Sequence, residues 1–228
     1  MIISHKYKFI FVKTFKTAGT SIEAFLAQHC SDGDVVTPLN PPIESHVPRN
    51  YRGLWNPLSE VLLKKGHGTP KTIEQFIRLK KFYNHIPAIS IKSRISSQVW
   101  NNYFKFCVER NPWDKTLSHY HMCNYRSGGN LSLDDYFRQG RFRTNYHLYT
   151  DYDSNLLVDK VVRYETLIQE LSQILEKMNI PFDGSLGVKA KSEYRSNKMP
   201  YQEIFSQRQK EILDKAFEKE IQMHGYLY

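Results

Sequence analysis

Three times along this chain a short apolar run gives way to a loop and then to apolar positions three and four residues apart, the spacing of one helix face. Residues 8–13, built on Phe9-Ile10-Phe11-Val12, predict a first strand, and residues 17–30 a helix behind it. Residues 103–108 predict a second strand, followed by a helix over 112–124 with Pro112 in the first turn, where a missing N–H is harmless. Residues 161–164 predict a third strand. Thr166 and Gln169 form a capping-box signature behind it, and Leu167, Ile168, Leu171, Ile174, Leu175 and Met178 fall on one helical stripe. Strand–helix alternation of this kind predicts an α/β fold with a central parallel sheet flanked by helices.

The remaining segments read as mostly helical. Thr69-Pro70 opens a helix expected to reach residue 83, and 97–103 holds a further turn or two. Residues 206–224 predict one long helix with Ile212, Leu213, Ala216, Phe217 and Ile221 inward and Gly225 as its stop. Residues 38–57 contain five prolines and predict an irregular surface loop. No repeat, low-complexity tract or composition break divides the chain, so residues 1–228 read as a single domain.

Composition narrows the functional classes. With 40% hydrophobic and 14% aromatic residues the chain can bury a full core, which excludes a disordered segment. No apolar run approaches the roughly 20 residues that span a bilayer, so no integral membrane segment is expected. Residues 1–13 are too short and too charged for a signal peptide and read as part of the first strand. Three cysteines without CxxC spacing suit a reducing compartment, and a cytoplasmic location is expected. The formal charge of +9 calls for an anionic partner. Nucleic acid and a phosphorylated small molecule are both candidates; the basic residues are scattered rather than gathered in the stripe usual for a nucleic-acid binder, and charge alone does not decide between them.

Two constellations carry candidate chemistry. In Thr14-Phe15-Lys16-Thr17-Ala18-Gly19-Thr20-Ser21, between strand and helix, small residues let backbone wrap an anion and the helix start aims amides at it. Lys16 adds charge, and Thr17, Thr20 and Ser21 add hydroxyl donors. The lysine precedes the glycine, so this is not a Walker A loop. In Glu109-Arg110-Asn111-Pro112-Trp113-Asp114, Arg110 follows a strand's C-terminal end, where ligands of open α/β sheets bind, and Ser118 lies two helical turns on. Arginine suits phosphate through its planar fork; an ordinary ion pair with Asp114 or Glu109 is the plainer reading. His119, His121 and Cys123 are expected to diverge around their helix, and no metal site is expected.

Together the two motifs resemble those of sulfotransferases that use 3′-phosphoadenosine 5′-phosphosulfate (PAPS), especially the carbohydrate branch. Lys16-Thr17-Ala18-Gly19-Thr20-Ser21 is similar to that family's 5′-phosphosulfate loop, and Arg110-Asn111-Pro112-Trp113-Asp114 with Ser118 to its 3′-phosphate motif. The similarity continues more weakly through Arg163-Tyr164-Glu165-Thr166-Leu167 and His224-Gly225-Tyr226. One departure is Phe15, where many relatives carry proline. The resemblance implies a P-loop-like domain over 1–228, with an irregular acceptor-side insertion at about 35–81. It implies transfer of a sulfuryl group from PAPS to a glycan or glycolipid hydroxyl, leaving adenosine 3′,5′-bisphosphate, without a metal. Lys16 would steady the leaving oxygen, the loop Lys16 to Ser21 the 5′-phosphate, and Arg110 and Ser118 the 3′-phosphate. The base would be His85 by its context, with His67 the alternative. Lys191 and Arg195 form a basic loop that either closes over the nucleotide or stays solvated, and Tyr51, Trp55, Tyr120 and Tyr125 are candidate sugar-facing rings. Two rivals remain: a Mg²⁺-dependent nucleotide phosphotransferase, with Glu109 the one acid at a suitable strand end, and a non-catalytic nucleic-acid-binding module.

Overall fold

The computed structural model describes residues 1–187 and 199–228. Five strands form one sheet: β1 (Ile2–Ser4), β2 (Phe9–Phe11), β3 (Val35–Val36), β4 (Phe104–Glu109) and β5 (Lys160–Arg163), in the order β3-β1-β2-β4-β5. β2, β4 and β5 run parallel, whereas β1 is antiparallel to both β2 and β3. The α/β class and the flanking helices match expectation, but the sheet is mixed. Residues 1–13 make a hairpin rather than part of one strand. Asp34 takes the Ser4 hydroxyl and the His5 and Lys6 amides, which holds the turn between β1 and β2. β3 lies inside the segment expected to be irregular, because Val35 and Val36 complete the sheet edge beside β1.

The described helices are α1 (Gly19–His29), α2 (Pro57–Leu63), α3 (Thr69–Ile77), α4 (Ala88–Arg94), α5 (Ser97–Asn102), α6 (Pro112–Arg126), α7 (Leu133–Gln139), α8 (Tyr146–Tyr149), α9 (Leu167–Lys177), α10 (Tyr201–Ile204), α11 (Gln207–Ala216) and α12 (Glu218–His224). Strand alternation sorts the core into two layers. Phe9, Phe11, Phe106 and Val108 meet Ile22 and Leu26 of α1 and Leu171 and Leu175 of α9, while Ile10, Val12 and Cys107 meet Ile91, Trp100 and Tyr149 on the other face. A third cluster, around Trp113, Leu117, Tyr136 and Phe217, fastens α7 and α11 to α6.

Three helix expectations change. α3 stops at Ile77, since Leu79 enters the left-handed region (φ 52°) and the Lys80 amide returns to the Gln75 carbonyl. The Thr166 capping box does not form: residues Tyr164–Thr166 make a 3₁₀ turn and the Thr166 hydroxyl donates to Glu170 instead. Ile168, expected inward, is half exposed. The C-terminal helix opens on the Ser206–Gln209 capping box but divides at the buried Phe217. The division turns Glu220 inward, where its carboxylate accepts the Asn145 and Tyr146 amides at 2.9 and 3.2 Å.

Glu109, at the C-terminal end of β4, is fully buried. Its carboxylate accepts from Lys115 Nζ (2.7 Å), Asn145 Nδ2 (3.0 Å), the Arg110 amide (2.9 Å) and the Tyr149 hydroxyl (3.0 Å). Removing one member of a fully buried ion pair leaves an uncompensated charge. Glu109→Ala is therefore expected to lower unfolding stability by about 3–5 kcal/mol, measured by urea denaturation. A joint Glu109→Gln, Lys115→Met replacement should be milder than Glu109→Ala.

Candidate functional site

β2 and β4 are adjacent and parallel, so the loops leaving their C-terminal ends emerge side by side. The Thr14 hydroxyl ties the loop after β2 to the strand next to it by donating to the Val108 carbonyl at 2.5 Å, and it also meets the Thr17 hydroxyl at 2.7 Å. Thr17 is thus fully buried and holds the loop together. Lys16 and Ala18 both take left-handed backbone, with φ of 61° and 56°. Ala18, at the N-cap of α1, supplies no side-chain cap, and the first-turn residues Gly19, Thr20 and Ser21 line the cleft. Gly19 is required by close approach: a Cβ there would meet Lys13 Cγ at 2.9 Å.

Phe15 has a physical explanation in Asn145. The Asn145 side chain accepts the Phe15 amide at 2.8 Å and donates to the Phe15 carbonyl at 3.1 Å, a clamp that proline, lacking the N–H, could not fully enter. Asn145 also donates to Glu109, so the loop is fixed to the buried carboxylate. The Phe15 ring stacks on His85, with centroids 4.0 Å apart.

Arg110 lies on the next loop. Its Nη1 donates to the Lys16 carbonyl at 3.1 Å, which joins the two motifs directly, and its guanidinium sits 4.1 Å over the Tyr164 ring. It also pairs with Asp114, as the plainer reading anticipates, at 2.8 Å through Nε. Both motifs open on one cleft of ≈ 1160 Å³, whose lining includes all of Lys16 to Ser21 together with His85, Arg110 and Ser118. Every other charged side chain among the described lining residues is basic as well: Lys13, Arg126 and Arg143. No Asp or Glu is among the described lining residues. Such a lining gives the cleft a positive potential that favours anions.

His85 Nδ1 lies 3.1 Å from the Lys13 carbonyl. A carbonyl only accepts, so Nδ1 carries the proton and Nε2 holds the free lone pair of a base. Burial, and then the charge of Lys13, push the ring's pKa down to about 3. Lys13 is itself buried and paired with Glu23 at 2.7 Å, and burial lowers its pKa. His119 Nε2, on α6, accepts from Arg143 Nε at 3.3 Å, and His119 Nδ1 therefore donates to the Tyr136 hydroxyl at 2.8 Å. Burial, followed by Arg143, holds His119 at about 4.

Several expected residues lie elsewhere. His67 stacks on Tyr152 (4.4 Å) outside the cleft lining, which separates it from the loop that His85 joins. None of Tyr51, Trp55, Tyr120 and Tyr125 lines the cleft. Trp55 donates to Glu60 under the Arg94 guanidinium, and Tyr120 donates to the Leu131 carbonyl. Lys191 and Arg195 lie outside the described residues. Glu109, the acid considered for a metal, is wholly buried on Lys115 and does not line the cleft. His119 and Cys123, expected to diverge, share a helix face four residues apart, with Sγ 3.6 Å from Nε2. No group of three or more His, Cys, Asp or Glu among the described residues is placed to hold a metal ion. Asn145 and Arg143 went unread in the sequence because they sit in a loop without periodicity. The basic residues Lys13 and Arg126 were hidden in a strand end and a helix end.

No protein-family model matches the chain, and no solved structure matches it. An uncharacterized protein of Archaeoglobus fulgidus is 29% identical over 117 residues, which is 48% of this chain and 98% of that protein. The likeness names no activity, so the chemistry rests on the cleft itself.

The lowered His85 pKa has a consequence for stability. The folded ring stays neutral down to about pH 3, whereas the unfolded ring takes a proton near 6.5. The unfolded state therefore binds more protons between these values, and stability falls as pH drops below 6.5. His85→Asn should flatten the pH dependence of unfolding free energy between pH 6.5 and 5, by at most ~1.4 kcal/mol per pH unit. Unchanged slopes in the variant would place the proton uptake elsewhere.

Proposed function

We propose that this protein is a PAPS-dependent sulfotransferase acting on a hydroxyl group, with a glycan or glycolipid as acceptor. The observation that carries the reading is the cleft: two loops that resemble the 5′-phosphosulfate and 3′-phosphate motifs share it, and the described charged residues lining it are all basic. In this reading the α1 amides and the Lys16 to Ser21 loop hold the 5′-phosphate. Arg110 and Ser118 hold the 3′-phosphate that distinguishes PAPS from ATP-like nucleotides. Tyr164 and Asp114 fix the plane of the Arg110 guanidinium.

PAPS supplies the activated sulfuryl group. The acceptor oxygen bonds to sulfur as the bond from sulfur to the 5′-phosphate oxygen breaks, and that electron pair stays on the nucleotide product. In this reading Lys16 neutralises the charge arriving on this oxygen, a contribution made mainly in the transition state. His85 Nε2 takes the acceptor proton. Its low pKa makes it a weak base in the protein alone, and the negative charges of a bound donor offset Lys13 and raise its proton affinity. Phe15, stacked on the imidazole, keeps it in plane. The acceptor class rests on the resemblance alone, since the aromatic rings expected to face sugar lie off the cleft. The phosphotransferase reading loses its acid, because Glu109 is consumed by Lys115.

Thermal shift distinguishes these readings. Adenosine 3′,5′-bisphosphate should stabilise the protein well beyond ADP, and Arg110→Ala should remove most of that preference, because a charge-assisted hydrogen bond contributes roughly 1.5–3 kcal/mol. Equal shifts with both nucleotides in the intact protein would refute the donor assignment. Lys16→Ala should lower turnover by about 10²-fold or more while weakening product-nucleotide binding less. Activity retained in Lys16→Ala would reduce that lysine to a loop residue.

A further inference from the structure

The helices α2 and α3 present an apolar face that the cleft does not use. They pack on each other through polar residues: the Glu60 carboxylate accepts from Thr72 (3.2 Å), Lys64 (3.3 Å) and the Arg94 guanidinium (2.8 and 2.9 Å), and Arg94 also donates to Gln75 at 2.7 Å. This buried cluster fixes which way each helix faces. At 100° per residue, Leu58 and Leu62 of α2 lie opposite Glu60, and Ile73 and Ile77 of α3 lie opposite Gln75. Both apolar pairs therefore turn away from the body of the protein. Their exposure agrees, at 63%, 70%, 49% and 74% respectively. Leu54, just before α2, and Leu79, just after α3, are exposed too. Isolated surface leucines need no explanation, but paired ones on two packed helices form a patch.

The surroundings of the patch are basic. Arg52, Lys65, Lys71, Arg78 and Lys80 are exposed on or beside these helices. Lys65 reaches Asp153 and Arg78 pairs with Glu74, while Lys71 and Lys80 lie over the Tyr83 ring. The acids of residues 52–81 are Glu60, consumed inside by Arg94, and Glu74. A cationic rim around leucine and isoleucine selects the occupant. A second copy would bring the same positive rim into contact with itself, whereas an anionic bilayer offers acyl carbons to the leucines and phosphates to the lysines.

We propose that the outer face of α2 and α3 is a peripheral docking surface for anionic lipid membranes. The chain leaves α3 through Lys80, Lys81 and Tyr83 to Asn84 and His85, which line the cleft, so a short connection joins this surface to the cleft. The inference stands on the exposed face and its charge and does not depend on the sulfuryl-transfer reading.

Sedimentation of the full chain with phosphatidylcholine vesicles, with and without phosphatidylglycerol, tests it. Binding is expected only with phosphatidylglycerol, and it should weaken as salt rises. Leu62→Gln with Ile77→Gln should weaken vesicle binding by about tenfold or more, with melting temperature held because both positions are exposed. Lys71→Ala with Lys80→Ala should weaken it as well. Failure to sediment with phosphatidylglycerol vesicles, or sedimentation indifferent to both double variants, would overturn the proposal. So would a lipid-free dimer that the Leu62, Ile77 variant splits, since the occupant would then be a second copy.

Discussion

A carboxylate cut off from water needs its lone pairs filled, and the way Glu109 fills them organises this molecule. Lys115 reaches it from α6, Tyr149 from α8, Asn145 from the loop before α8, and the Arg110 amide from its own chain. Each donor carries an element with it. Through Asn145 the carboxylate fixes Phe15 and hence the loop after β2, and through Tyr149, whose hydroxyl lies 3.0 Å from His224 Nε2, it reaches α12. The two loops that face the cleft are thus anchored to one buried charge at the end of β4. Burying an ion pair gives little net stability over an apolar replacement, so position is the better-supported reason for such an arrangement.

The cleft follows from sheet topology and charge. Adjacent parallel strands β2 and β4 deliver their loops to the same edge, and Arg110 bonds the Lys16 carbonyl across the gap. Left-handed backbone at Lys16 and Ala18 is strain concentrated where α1 begins, as is common at ligand sites. Glu23, the acid that balances Lys13, sits behind the loop at full burial, and Asp114 is the anionic partner of Arg110. Positive charge faces the cleft while its compensation lies behind or beside it.

Much of this was legible in the sequence, for identifiable reasons. The strand–loop–helix units around Phe9 and Phe106 announce themselves by apolar runs, and the residues Lys16 to Ser21 and Arg110 with Ser118 do meet in one cleft. The antiparallel edge was not legible, because Ile2-Ile3 and Val35-Val36 are too short to signal strands, and Asp34 enforces the turn from a distance. The break at Phe217 depends on Glu220 finding the Asn145 amide, a contact 75 residues away in sequence that no local pattern encodes. Aromatic count misled about the cleft walls, since Trp55 and Tyr120 spend their polar atoms inside the fold. Asn145, the residue on which the loop depends, stands in a stretch with no motif at all.

The central claim is that this cleft transfers a sulfuryl group. Its most direct test incubates the purified protein with PAPS labelled in the sulfuryl group and a panel of oligosaccharides, glycolipids and phenols, in buffer containing EDTA. The account predicts label on a carbohydrate hydroxyl, stoichiometric release of adenosine 3′,5′-bisphosphate, and loss of both in Lys16→Ala. No transfer from PAPS to any acceptor, together with Mg²⁺-dependent transfer of phosphate from ATP, would contradict it.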